Sequence, residues 1–217
     1  MTPARTRRTQ AERTATMRAA LLDAAVDAIA ELGYRATTTT EVTRRAGVSP
    51  GALLHHFPAK ADLLTAAVGH AFERRREEFR TAMAGLEPGA GRLGAAIDLL
   101  WSMYSGPTFA AYLELWVAAR TDPELAQAVV RMSREFMVAS EKVFAELFPA
   151  EGGFADPAFR RTGLHLAYAL LDGLALSRVV DDYEPYPAGE VLAAFKALAS
   201  LAIAAAQPAT TPRRSES

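Results

Sequence analysis

The sequence predicts an all-α protein with a small N-terminal domain and a larger helical domain after it. Three observations carry that expectation. Apolar residues recur at helical spacing along most of the chain, and no stretch alternates with the period of a strand. Glycine and proline cut this pattern into segments of helical length. GLEPGAG, Gly85 to Gly91, is the clearest break and divides the chain in two. Half of the 217 residues are hydrophobic, enough for a sizeable core. The expected organisation is a basic disordered arm at 1–9, a first domain with its connecting helix at 10–84, a second helical domain at 85–207 and a polar tail at 208–217.

The arm holds Arg5, Arg7 and Arg8 among Thr, Pro and Ala. Such a segment buries too little to fold alone. It is either a solvated tail or a reach toward the backbone or minor groove of a nucleic acid. From about Ala11 to Leu32, Leu21, Leu22, Ala25, Val26, Ile29 and Leu32 make one buried helical face. Gly33 closes that helix, and Tyr34 packs behind the unit that follows.

That unit is Thr37 to Lys60, TTTTEVTRRAGVSPGALLHHFPAK. Thr38 and Glu41 form a T-x-x-E capping box that starts a short helix. Gly47 supplies the left-handed residue that ends it. Ser49 is an N-cap with Pro50 at the first helical position, and Pro58 stops the second helix near His56. Two short helices around a glycine turn are a helix-turn-helix, whose second helix enters the DNA major groove. Val42, Ala46, Val48, Leu53 and Phe57 make its small core.

A longer helix is expected from Lys60 to about Met83. Its ERRREEFR run, Glu73 to Arg80, is mixed in sign and reads as a solvated face with i,i+4 pairs. Five more helices are expected at about 91–105, 107–120, 122–148, 156–181 and 188–206. Gly106-Pro107, Asp122-Pro123, Pro149 with Gly152-Gly153, and Pro185 with Pro187 separate them.

The N-terminal order resembles the DNA-binding domain of the TetR family of transcriptional regulators. The landmarks are Ala24, Gly33-Tyr34, Thr38-Thr39, Ala46-Gly47-Val48-Ser49, Leu53, His56-Phe57, Lys60 and Leu63-Leu64, and the resemblance covers roughly residues 15 to 68. It implies that Thr39, Thr40, Pro50, Gly51, Ala52, Leu54, His55 and Lys60 meet DNA. Leu54 departs from the family pattern, which usually has a tyrosine there to reach a phosphate. His55 can donate to guanine or to a phosphate, and Lys60 to a phosphate at a helix start. Gly51 and Ala52 offer little hydrogen bonding, so base readout is expected to be thin.

Charge follows the same division. Residues 1–80 carry 13 Lys+Arg against 9 Asp+Glu, and residues 81–217 carry 11 against 16. A positive N-terminal part suits a phosphate backbone. Cysteine is absent, so thiolate zinc sites, disulfides and cysteine nucleophiles are excluded. There is no H-E-x-x-H, G-x-S-x-G, P-loop or G-x-G-x-x-G, and adjacent His55 and His56 point apart on a helix. No catalytic residues, metal or cofactor are expected. The first residues lack the apolar core of a signal peptide, and no uninterrupted apolar run of spanning length occurs. A cytoplasmic protein without a membrane span is expected.

In the second domain Trp101, Tyr104, Tyr112, Trp116 and Phe136 are candidate walls of an apolar ligand site. His165, Tyr168 and Asp172, spaced i, i+3, i+7, form a polar stripe that either pairs internally or meets a polar ligand atom. Glu114 and Asp172 would favour a cation beside aromatic faces. Residues 163–177 and the terminal helix are apolar on most sides, and such helices are buried all round; the family pairs them with their copies. The expectation is therefore a homodimeric, ligand-responsive repressor on a palindromic operator, released by a small hydrophobic or aromatic molecule, cations included. Two alternatives stand beside it: an effector-free regulator controlled by abundance or a protein partner, and a helical enzyme or carrier.

Overall fold

The computed structural model describes residues 9–87, 91–148, 156–178 and 187–206. The predicted arm, apart from Thr9, and the polar tail lie outside the described residues, as do Pro149, Gly152, Gly153 and Pro185. Within the described residues all regular structure is helical: α1 Gln10–Ala36, α2 Thr39–Ala46, α3 Pro50–His56, α4 Lys60–Ala84, α5 Gly91–Ser102, α6 Pro107–Ala119, α7 Pro123–Leu147, α8 Pro157–Leu176 and α9 Ala188–Ala205, with a 3₁₀ turn at Met103–Ser105.

The helix starts follow from local chemistry. Thr9 forms a complete capping box with Glu12, its Oγ1 accepting from Glu12 N–H at 3.2 Å while Glu12 Oε2 accepts from Thr9 N–H at 2.7 Å. This box sets the start of α1 just before the Ala11 expected from apolar spacing. At α2 only half of the expected box forms. Thr38 Oγ1 accepts from Glu41 N–H at 3.2 Å, but the Glu41 carboxylate turns to Arg44 and Arg45 instead. Two guanidinium partners outcompete one backbone N–H. Asp122 caps α7 through Leu125 N–H at 3.0 Å, and Asp156 caps α8 through Ala158 N–H at 2.9 Å.

The chain packs as two compact units. The first comprises residues 1–75 and 106–137, the second residues 76–105 and 138–217. The sequence expects boundaries by role, at 10–84 and 85–207; packing groups the helices otherwise. In the first unit α1 lies against both α2 and α6. Leu21, Leu22, Ala25 and Ile29 share a continuous core with Val42, Leu53, Leu63, Leu64, Val68, Ala111, Leu115, Leu125 and Val129. Each fully buried leucine contributes about 1.5–3 kcal/mol by leaving water, so α6 and early α7 help to hold α1–α4 in place.

The second unit has two cores. Phe79, Met83, Ala96, Val143 and Phe148 form one. Ile97, Leu171, Leu174, Ala188 and Leu192 form the other, with Trp101, Tyr104 and Phe195 packed against it. Leu93 and Leu100 of α5 join both. α5 packs on α9, where Lys196 Nζ pairs with Asp98. α9 is long and apolar enough to cross a membrane, by length and composition only. It is not an uninterrupted apolar run, because Glu190 and Lys196 lie within it.

Candidate functional site

The reading head is built as the sequence expects. Gly47 ends α2 in the left-handed conformation, φ 66° and ψ 33°, and its N–H donates to Thr43 O. That reversal aims the chain into Ser49, whose Oγ accepts from Ala52 N–H at 3.3 Å and caps α3. Val42 and Leu53 lie fully inside, and Phe57 is buried. The opposite side of α3 faces outward: Pro50, Gly51, Leu54 and His55 are exposed, and Ala52 and His56 are half-buried. Leu54 is 59% exposed, an apolar side chain largely open to solvent. Thr40 is exposed and Thr39 half-buried at the start of α2. Seven of the eight expected DNA residues thus belong to α2 or α3, and none of the seven is buried.

Lys60 is the exception. Its Nζ donates to Tyr34 O at 2.6 Å and Arg35 O at 3.4 Å, and stands 4.4 Å from the Tyr34 ring centroid. Burial pulls its pKa below the ordinary lysine value. Lys60 therefore ties the start of α4 to the end of α1, a structural duty beyond the phosphate contact expected of it. Glu41 is the strongest local electrostatic feature. Hydrogen bonds from Arg44 and then Arg45 hold its carboxyl down to about 2. Arg45 also pairs with Glu31 of α1 at 2.8 Å, bracing α2 on α1.

The junction between α1 and α2 centres on Gly33. Its φ 75° and ψ 168° lie in a region open almost only to glycine. The following N–H, of Tyr34, donates to Glu114 Oε2 of α6 at 3.0 Å. The Tyr34 hydroxyl donates to Asp122 Oδ2 at 3.3 Å. Burial, with Asp122 beside it, raises the Tyr34 pKa. The sequence carries a signal for this joint, an internal Gly-Tyr before a cap, but the partner lies eighty residues away.

The expected effector residues divide between the units. Tyr112, Trp116 and Phe136 belong to the first. Tyr112 stands edge-on to Phe72 at 5.3 Å, and Phe72 packs on Phe136 at 4.5 Å. Trp116 meets Tyr112 edge-on at 6.2 Å but remains 43% exposed. Trp101, Tyr104, His165, Tyr168 and Asp172 belong to the second. Trp101 and Tyr104 stack at 6.2 Å, and the Tyr104 hydroxyl donates to Asp172 Oδ1 at 2.9 Å. The Arg178 guanidinium stands 5.5 Å from the Trp101 ring centroid. Burial raises the Asp172 carboxyl above the ordinary aspartate value, only partly offset by the Tyr104 hydroxyl.

The polar stripe is partnered within the chain. Tyr168 Oη donates to Ser140 Oγ at 3.2 Å, and His165 Nε2 lies 2.9 Å from Glu141 Oε1. Glu114, the second carboxylate considered for a cation, is engaged at Tyr34 in the other unit. Among the described residues no group of three or more His, Asp and Glu could hold a metal ion.

Comparisons with known proteins agree with this geometry. Residues 21–67 match the bacterial regulatory proteins of the tetR family, and residues 105–204 match the C-terminal domain of BetI-type transcriptional repressors. An HTH-type transcriptional regulator of Mycobacterium tuberculosis is 32% identical over 173 residues, covering 80% of this chain and 88% of its own. A TetR-family regulator from Rhodococcus sp. superposes with TM-score 0.67 at 22% identity, over 87% of this chain and 99% of that one. A transcriptional regulator from Saccharomonospora viridis, solved in complex with choline, superposes with TM-score 0.62 at 17% identity, over 85% of this chain and 95% of that one. With an exposed reading helix on a glycine turn and a relative matched over most of both lengths, the chain belongs to the TetR family of transcriptional regulators and is a DNA-binding regulator, not an enzyme.

Proposed function

We propose that this regulator is a homodimeric repressor that holds a palindromic operator in the cytoplasm and releases it when a small molecule binds. The observation that carries the reading is an uncovered apolar face on the last two described helices. Leu166 and Leu176 of α8 and Leu198 and Leu201 of α9 are exposed. Gly163 and Gly173 of α8 face open space. A second copy of the same face would cover these groups, and the open glycines allow close helix approach. Phe195 is half-buried and packs against the core of its own unit.

DNA would be met by Thr39, Thr40, Pro50, Gly51, Ala52, Leu54 and His55, with Lys60 dividing its donors between Tyr34 and a phosphate. In the second unit Asp172 offers a half-buried carboxylate held by the Tyr104 hydroxyl, and the Tyr104 ring stacks on Trp101, over which Arg178 already stands. That chemistry suits a small organic cation or an aromatic molecule with a donor group, and the choline complex of the S. viridis regulator is in keeping with it. His165 and Tyr168 extend the polar stripe on the same helix, and Tyr112, Trp116 and Phe136 are the aromatic candidates of the first unit.

Native mass spectrometry of the purified protein tests both halves of the reading. A dimer mass is expected, with an added small-molecule mass that Asp172→Asn diminishes. A monomer at micromolar concentration would overturn the assembly. A bare dimer whose operator binding ignores a broad panel of organic cations and aromatics would favour the effector-free regulator.

A further inference from the structure

We infer that Glu114, which lies far in sequence from the helix-turn-helix, is a positioning residue for DNA recognition. It latches the joint that sets the angle of the reading head. The joint is short and fully specified. Gly33 leaves helical geometry at φ 75° and ψ 168°, which turns the Tyr34 N–H out of the α1 ladder. Left without an acceptor, this half-buried N–H would carry an uncompensated desolvation cost. Glu114 Oε2 supplies that acceptor at 3.0 Å, as a charge-assisted bond.

Three further contacts converge on the same joint. Gly33 O accepts from both the N–H and the Oγ1 of Thr37, at 3.2 and 2.8 Å, and Thr37 is fully buried. The next residue, Thr38, caps α2. Tyr34 O accepts from Lys60 at the start of α4, and the Tyr34 hydroxyl holds Asp122, which caps α7. The apolar core and the Arg45–Glu31 pair hold α2 on α1; the Gly33–Tyr34 peptide unit sets the direction in which the chain leaves α1, and the carboxylate clamping that unit comes from α6. Base contacts tolerate little error in the orientation of α3, whereas nonspecific phosphate attraction tolerates much. Loosening the latch should cost discrimination more than it costs nonspecific affinity.

The test uses the full-length protein. The probe is a duplex selected by the wild-type protein from a random-sequence library, with poly(dI-dC) as the nonspecific reference. Glu114→Ala is expected to weaken binding to the selected duplex by about tenfold, because α3 must be reoriented on binding, and to change poly(dI-dC) binding by less than about twofold. Glu114→Gln keeps an oxygen acceptor at the same reach and is expected to restore affinity to within about threefold of wild type. Glu114→Asp is one methylene shorter and is expected to fall near the alanine variant. Exchange of the Tyr34 amide with deuterium is expected to be slow in wild type and the glutamine variant and fast in the aspartate variant.

Selected-duplex affinity within twofold of wild type in Glu114→Asp, with a fast Tyr34 amide, would overturn the inference. Equal losses on both DNAs that track a lowered melting temperature would also overturn it, because Glu114 would then act through stability alone. If Glu114→Ala fails to fold, the glutamine–aspartate pair decides the matter by the same criteria.

Discussion

Shortening Leu201 to alanine is expected to weaken the proposed dimer without unfolding the subunit. Leu201 is 67% exposed on α9 in the single chain. The change removes three carbon groups, each contributing about 0.8 kcal/mol when buried. Scaled by the exposed fraction, burial against a second copy is worth about 1.6 kcal/mol per subunit, or about 3 kcal/mol for the two copies of a symmetric interface. That corresponds to a rise in the dimer dissociation constant of about 150-fold. Sedimentation velocity over a concentration series reads this directly. The melting temperature extrapolated to the dissociated subunit should stay unchanged, since the side chain packs on little within its own chain. Operator binding should fall at low protein concentration and recover at high concentration. A dissociation constant within threefold of wild type would show that Leu201 lies off the interface. Leu198, 64% exposed on the same helix, provides an independent repeat.

Gly33→Ala forces a side chain into the φ 75°, ψ 168° conformation and places a Cβ 3.0 Å from Glu114 Oε2. Strain of about 1–3 kcal/mol is expected, lowering the melting temperature by roughly 2–12 °C for a chain of this size; an unchanged melting curve would refute it. Lys60→Ala should lower the melting temperature, because the Tyr34 and Arg35 carbonyls give up their hydrogen bonds to Nζ. If Lys60 also meets a phosphate, the slope of log K against log salt should flatten by about one unit for each phosphate no longer neutralised; an unchanged slope assigns it to the α1–α4 tie alone. Asp172 has a raised pKa, so ionising it costs folding free energy that accrues as pH rises above 3.8, its ordinary value, through its folded pKa. Asp172→Asn should accordingly gain stability relative to wild type from about pH 4 to about pH 7, as urea titration at the two values would show. A difference independent of pH would contradict the burial argument.

Local structure was legible in the sequence because its causes are local. Ser49-Pro50, Gly47 and Pro58 specify α3 to the residue, since a cap, a left-handed glycine and a missing N–H act within one turn. The α1 face of Leu21, Leu22, Ala25, Val26 and Ile29 follows from spacing in the same way, whereas Leu32, expected to continue it, is 42% exposed. The α2 start shows the limit of such local rules. Thr38 and Glu41 fit a capping box, yet Arg44 and Arg45 take the carboxylate, and a competition among three partners cannot be read from a four-residue motif. The effector residues were harder still. Tyr112, Trp116 and Phe136 share their aromatic character with Trp101 and Tyr104, but α6 and early α7 pack with α1 while the others pack with α5, α8 and α9.

The helices, the reading head with its Gly47 turn and Ser49 cap, and the family follow from the sequence by itself, because all of them rest on contacts a few residues apart or on a recognisable order of motifs. Tertiary structure alone decided that Lys60 is held by α1, that Tyr168, His165 and Asp172 on α8 meet Ser140, Glu141 and Tyr104, and that Glu114 clamps Tyr34 across eighty residues. Those pairings depend on how helices dock. Docking is set by the sum of many nondirectional apolar contacts, and no single residue carries the instruction.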